Sequence, residues 1–165
     1  MQVPKRKAEK YTNLSVDPHM TQEKFDELKA KLARMKQSRP ALAAEVHRLA
    51  ANGDFSENAE YQIAKGKLRG LNQRILDTED HLRKAIIIDT SLGGDEVVIG
   101  STVTFTQDGV EKTYQILGSA EASPEKGIIS HNTPIAQALL GHTAGDDVEV
   151  DIKGSTTTIH IQSIA

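Results

Sequence analysis

A chain of 165 residues, 26% charged and 38% hydrophobic, has the composition of a soluble protein and room for one medium domain or two small ones. It has no cysteine, which excludes a disulfide framework and a thiolate metal site. Its six histidines lie far apart with no paired spacing such as H-x-x-x-H, so no metal is expected to be held by this chain alone.

The formal net charge of −3 conceals an asymmetry. Residues 1–89 carry 17 Lys+Arg against 13 Asp+Glu, whereas residues 90–165 carry 3 against 10. Two regions of opposite sign suggest two surfaces with different partners, and a basic half is drawn to nucleic acid or to an acidic cavity. Solvated Lys and Arg on helix faces explain the charge balance equally well. No apolar run approaches the ~20 residues that span a bilayer, and no apolar core of ~7–15 residues follows the basic N-terminus. The expectation is a cytoplasmic protein without a membrane partner.

Residues 1–19 contain Lys5-Arg6-Lys7, Lys10, Pro4 and Pro18 without apolar periodicity, and are expected to be a disordered extension. Thr21 is a good N-cap for a helix with Glu23, Asp26 and Glu27 in its first turns. That helix is expected from about Gln22 to Asn52, with Phe25, Leu28, Leu32, Met35, Leu42, Val46 and Leu49 on steps of three and four once Arg39 is passed. At 1.5 Å per residue it is a rod of roughly 45 Å, longer than a small domain is wide. Pro40 sits inside it, and because the heptad resumes in phase at Leu42 a kink is expected rather than a break.

A return helix is expected from about Ser56 to Ala85, with Tyr61, Ala64, Leu68, Leu71, Ile75, Thr78, Leu82 and Ala85 on the same steps. Two seams joined by so short a loop read as an antiparallel coiled-coil hairpin over residues 20–89. Its tip is Gly53-Asp54-Phe55-Ser56-Glu57-Asn58-Ala59-Glu60-Tyr61. On physics alone, capping is the first reading of these acids. Asn52-Gly53 can end one helix, Asp54 or Ser56 can cap the next, and Asp54 and Glu57 have capping-box spacing, each acid meeting the helix dipole for ~0.3–1 kcal/mol. Capping requires neither Glu60 nor an exposed Phe55. Two carboxylates here can also meet Mg²⁺, but that ion wants six oxygens, so another molecule would have to complete the site.

After Ala85 come Ile86-Ile87-Ile88 and a turn-rich stretch read as a linker over residues 90–95. Residues 96–165 are strand-like at Val97–Ile99, Thr102–Thr106, Thr113–Leu117, Gly127–Ser130, Val148–Ile152 and Thr157–Ile161, with Asp108-Gly109 a strong hairpin turn. One helix begins at Pro134 after the cap Thr133 and ends at Gly141. The fold class is therefore α+β, a helical hairpin followed by a small antiparallel sheet with one helix. No nucleophile, base and orienter group together in this second region, and Ser130-His131 read as mere sequence neighbours.

The segment Gly53–Tyr61 resembles the tip signature GD-x-x-ENAEY of the bacterial GreA/GreB transcript cleavage factors. Arg39-Pro40 resembles a pair in that family's first helix. Ile129-Ser130-His131-Asn132-Thr133-Pro134-Ile135-Ala136-Gln137-Ala138-Leu139-Leu140-Gly141 resembles its C-terminal I-S-x-x-[ST]-P-[IL]-x-x-A-L-[LI]-G block. The likeness covers about Met20 to Ile164; the departures are the N-terminal extension and Gly66 and Gly70 in the return helix.

The resemblance implies that the hairpin enters the secondary channel of RNA polymerase and that an FKBP-like domain grips the channel rim. It further implies a monomer that stimulates cleavage of the 3′ end of backtracked nascent RNA and is not itself an enzyme. By position, Asp54 and Glu57 would assist the polymerase's Mg²⁺, which is shared rather than a cofactor of this chain. Gly53, Phe55, Ser56 and Asn58 would shape the tip, and Lys65 would lie near the RNA. Ser130, Pro134, Ile135, Leu139 and Gly141 would serve polymerase binding. Competing readings are a channel regulator that does not cleave, an FKBP-like isomerase or chaperone, and a coiled-coil adaptor. The aromatic poverty of the second region, with only Phe105 and Tyr114, opposes the isomerase; the intact tip acids oppose the non-cleaving regulator, and the acidic tip signature goes unexplained by an adaptor. Preference for short or long fragments is left open.

Overall fold

The computed structural model describes residues 16–51, 59–91, 94–152 and 154–165. Strand β1 (His19–Thr21) leads directly into helix α1 (Gln22–Ala50); helix α2 (Ala59–Lys84) returns and passes into strand β2 (Ile86–Ile88). Thr21 caps α1 as expected, its side chain accepting from the Lys24 amide.

The predicted seam is the observed one. Along α1 the less exposed positions include Phe25, Leu28, Leu32, Met35, Leu42, Val46 and Leu49, and along α2 Tyr61, Ala64, Leu68, Leu71, Ile75, Thr78 and Leu82. Only Leu49, Ala64, Leu71 and Ile75 are fully buried, as befits two helices with no third layer over them. Polar links cross the seam where the apolar step is missed: Arg39 Nε donates to Asn72 Oδ1 at 2.7 Å, and Lys36 Nζ lies 2.6 Å from Glu79 Oε1. Helix α1 runs unbroken through Pro40.

At the base of the hairpin, β1 and β2 pair in parallel, His19 with Ile86 and Thr21 with Ile88. Two expectations are corrected here. The extension drawn to residue 19 ends earlier, because residues 16–19 are tied into the fold by this ladder and by Asp17; residues 1–15 lie outside the described residues. The isoleucine run is a strand, since its backbone pairs with a segment some 67 positions upstream (86 minus 19), invisible to a local reading.

The second unit is a five-stranded sheet in the order β5-β4-β3-β7-β6, with β3 (Thr102–Gln107), β4 (Val110–Leu117), β5 (Ile128–Ser130), β6 (Asp147–Ile152) and β7 (Ser155–Ile164). The sheet is mixed rather than antiparallel throughout, because β4 and β5 run parallel, joined by a crossover that holds a 3₁₀ turn at Pro124–Lys126. The Asp108-Gly109 turn joins β3 to β4 with φ of 52° and 77°, the two positive values of a type I′ hairpin. Helix α3 (Pro134–Leu139) lies against a core centred on Val103, Phe105, Ile116, Ala136, Ile159 and Ile161.

Val97–Ile99 is not a strand. Glu96 makes an isolated bridge with Thr143, the Gly141 amide donates to the Val97 carbonyl, and Gly100 then turns the chain at a φ of 114°. Pairing stops there, although Val97 is buried like a strand residue.

Candidate functional site

The tip follows directly from the hairpin. Helix α1 ends at Ala50, with the Ala51 amide donating to the His47 carbonyl at 3.1 Å, and α2 resumes at Ala59. Gly53, Asp54, Phe55, Ser56, Glu57 and Asn58 lie outside the described residues. Their flanks are described: Leu49 and Ala64 close the seam below the tip, and Glu60 is exposed in the first turn of α2. Lys65 is exposed one turn further, its ammonium 5.6 Å from the centroid of the Tyr61 ring, within the range of a cation–π contact. Lys67, Arg69 and Arg74 are exposed along the same helix. The basic side chains of α2 thus begin within two turns of its start.

In the sheet unit the five residues expected to serve binding divide into two kinds. Leu139 is fully enclosed in the core and Ser130 is 7% exposed, whereas Pro134 and Gly141 are exposed and Ile135 packs partly against the core. Ser130 acts locally: its Oγ lies 2.8 Å from Ser119 Oγ and accepts from the Asn132 amide at 3.2 Å. Thr133 Oγ1 donates to the Ser130 carbonyl and accepts from the Ala136 amide, fixing the start of α3. Gly141 holds a φ of 83°, the left-handed conformation that ends a helix at least cost with glycine.

The junction between the two units holds residues that sequence reasoning passed over. Glu121 accepts from the Thr21 amide at 2.8 Å and from the Thr21 hydroxyl, so the residue that caps α1 is itself gripped by the sheet unit. Asp17 accepts from the Ser119 amide at 2.7 Å and the His19 amide at 3.1 Å. His81, near the end of α2, places Nε2 3.0 Å from the Asp17 carbonyl. Burial pushes the Asp17 carboxyl up, but the hydrogen bonds from Ser119 and His19 outweigh it and hold the group down at about 2. His131 is no mere neighbour of Ser130, for its Nδ1 lies 3.4 Å from Asp17 Oδ2 and its ring meets that of His19 edge-on at 4.9 Å. Asp17 and His19 stand two positions apart, but nothing in the sequence links them to His131; only the fold does. Among the described residues no helix is long and apolar enough to cross a membrane.

Comparison with known proteins covers both units. Residues 19–87 match the family described as transcription elongation factor, N-terminal, and residues 92–165 that described as transcription elongation factor, GreA/GreB, C-term. Transcription elongation factor GreA of Sphingopyxis alaskensis is 42% identical over 135 residues, covering 81% of this chain and 85% of that protein. The GreA of Novosphingobium aromaticivorans is 37% identical over 147 residues, covering 88% and 93%, and that of Macrococcus caseolyticus 41% over 150 residues, covering 88% and 95%. Among solved structures, GreA factor homolog 1 of Thermus thermophilus matches 88% of this chain and 97% of its own at 24% identity, with a TM-score of 0.41.

Proposed function

The chain belongs to the GreA/GreB family of transcription elongation factors, and from that premise we propose that it binds bacterial RNA polymerase and stimulates cleavage of the 3′ end of backtracked nascent RNA. In this reading the hairpin enters the secondary channel and its tip reaches the polymerase active site. The observation that carries it is the place of the acidic motif in the chain: residues 53–58 fall between α1, which ends at Ala50, and α2, which begins at Ala59 and carries Glu60 and Tyr61 in its first turn. Helices of 29 and 26 residues extend about 40 Å, a reach that would let the tip work far from the domain that anchors it.

Asp54 and Glu57 are the residues assigned to the reacting centre. Two carboxylates cannot complete the coordination of Mg²⁺, which fits an ion held mainly by the polymerase; such an ion stabilises charge on the displaced phosphate oxygen and acidifies a bound water. The contribution of this chain is charge and placement. Asp54 and Glu57 would supply oxygens and orient the water, Gly53, Phe55, Ser56 and Asn58 would shape the turn, and Lys65 would offset phosphate charge on the RNA. Placement matters because a displacement of ~1 Å can cost ~100-fold in rate. The grip of Glu121 on Thr21 and of Asp17 on Ser119 supports it by fixing the direction in which the hairpin leaves the sheet unit.

Pro134, Ile135 and Gly141 would face the polymerase, with Leu139 and Ser130 shaping that surface from behind. The protein would act as a cytoplasmic monomer that assists the catalysis of another molecule and is not an enzyme. The direct test is to incubate a stalled, backtracked elongation complex with the full-length protein. RNA shortened from its 3′ end supports the reading, and RNA of unchanged length at saturating protein rejects it.

A further inference from the structure

We propose that Asp17, His19 and His131 form a site for one divalent transition-metal ion of the Zn²⁺ type, and that the bound ion ties the base of the hairpin to the sheet unit. Among the described residues these three each offer a ligand atom, all within 4.8 Å of one another. His19 Nδ1 lies 3.0 Å from Asp17 Oδ1, and His131 Nδ1 lies 3.4 Å from Asp17 Oδ2. An ion bound tetrahedrally at ~2.0–2.1 Å holds its ligand atoms ~3.3 Å apart. Two of the separations, one to each oxygen of Asp17, stand near that spacing, and the three ligand atoms lie within 4.8 Å of one another, so an ion would displace the His19–Asp17 hydrogen bond and draw the side chains together.

The donor set selects the ion. Two imidazoles and one carboxylate suit Zn²⁺, Co²⁺ or Ni²⁺, whereas Mg²⁺ and Ca²⁺ prefer oxygen throughout. Exposures of 9%, 29% and 15% for the Asp17, His19 and His131 side chains leave the cluster shielded but reachable, so water can fill a fourth position. The supporting groups are also in place: the Ser119 and His19 amides orient the carboxylate, and His81 bonds to the Asp17 carbonyl. Such outer contacts hold ligands in register.

His131 gives the most specific indication. Its Nδ1 is buried and makes no hydrogen bond, although it faces the Asp17 carboxylate. A buried polar atom without a partner is costly. Either a metal ion or a proton would relieve it, by ligation in the first case and by an ion pair with Asp17 in the second. The metal is favoured because His19 brings a second ring nitrogen to the same carboxylate, which an ion can use and a second imidazolium would oppose. Two ligands precede α1 and the third follows β5, hence the ion would bridge the two units.

The test uses untagged, metal-stripped full-length protein titrated with Co²⁺, whose visible absorption reports a four-coordinate nitrogen and oxygen site, followed by displacement with Zn²⁺. We expect one Co²⁺ per chain, displacement by Zn²⁺, and a melting temperature that rises with Zn²⁺. His131→Gln should weaken binding at least ~100-fold, at or beyond the upper end of the ~10–100-fold typical of an outer contact, and should abolish the Zn²⁺ shift. His142→Gln and His160→Gln, at exposed pairs with Asp146 and Asp147, should leave both unchanged. If His131→Gln fails to fold, His19→Gln gives the same reading from the other side of the junction. No stoichiometric Co²⁺ binding by the wild type overturns the proposal, as does binding that survives both histidine substitutions. A melting temperature that depends on pH through His131 but not on Co²⁺ or Zn²⁺ assigns the site to a proton and also overturns it.

Discussion

The carbonyl oxygen of His19 lies 1.8 Å from the point where a β-carbon on Gly118 would stand. The strand that leads into the hairpin and the strand end that leaves the sheet therefore meet backbone to backbone, and only glycine permits it. Gly118→Ala must separate them, straining the Ser119–Asp17 bond one residue on. We expect a loss of about 2–3 kcal/mol, or a fall in melting temperature of roughly 5–10 °C at this chain length. Gly66→Ala and Gly70→Ala provide the contrast, since a β-carbon at either meets nothing within 4 Å and alanine favours helix by ~1 kcal/mol. Both should raise the melting temperature; a fall in either would mean that these glycines serve a contact.

Asp17 makes the junction acid-labile. Its folded value of about 2 lies below the ordinary 3.8, so its stabilisation is complete above pH ~4 and is lost as pH falls from there through about 2. The contribution is on the order of 1–2 kcal/mol once solvent screening at this partly buried group is allowed for. Asp17→Asn should melt below the wild type at pH 7 and approach it near pH 2. A gap that stays constant across that range would mean that the charge contributes nothing.

Pro40 is exposed and stands inside an unbroken α1. It removes the amide that would bond to the Lys36 carbonyl. Pro40→Ala restores that bond and should leave thermal stability unchanged or raise it, by at most ~3 kcal/mol. A substantial loss, measured by thermal melting followed through helical circular dichroism, would mean that the proline ring is needed for the seam between Lys36–Glu79 and Arg39–Asn72.

What the sequence disclosed, and what it withheld, follows from distance along the chain. The seam from Leu28 to Leu49, the Asp108-Gly109 hairpin and the Thr133 cap of α3 are local patterns whose periodicity or turn chemistry can be read in a few residues. The tip acids were legible as a motif for the same reason. The junction was not, because Gly118 meets His19, Glu121 meets Thr21 and His131 meets Asp17 only after the sheet unit has folded back on the hairpin base. The isoleucines of β2 follow the return helix and are assigned no strand from the sequence, because their partner strand lies before α1. Val97 misled in the opposite direction: its burial is that of a strand, but Gly100 ends the pairing after one bridge.

The most direct measurement is the rate of 3′ RNA cleavage in a backtracked complex at matched polymerase occupancy, with wild-type protein, Asp54→Asn and Glu57→Gln. Both substitutions preserve shape, Asn caps a helix about as well as Asp, and the dipole term at a helix end is under ~1 kcal/mol. If these acids act at the reacting centre, cleavage falls by orders of magnitude while melting temperature and competition for polymerase stay near wild type. Near-normal cleavage by both variants would contradict the account and leave the acids as helix caps; loss of binding in step with cleavage would contradict it too, making the tip a docking element.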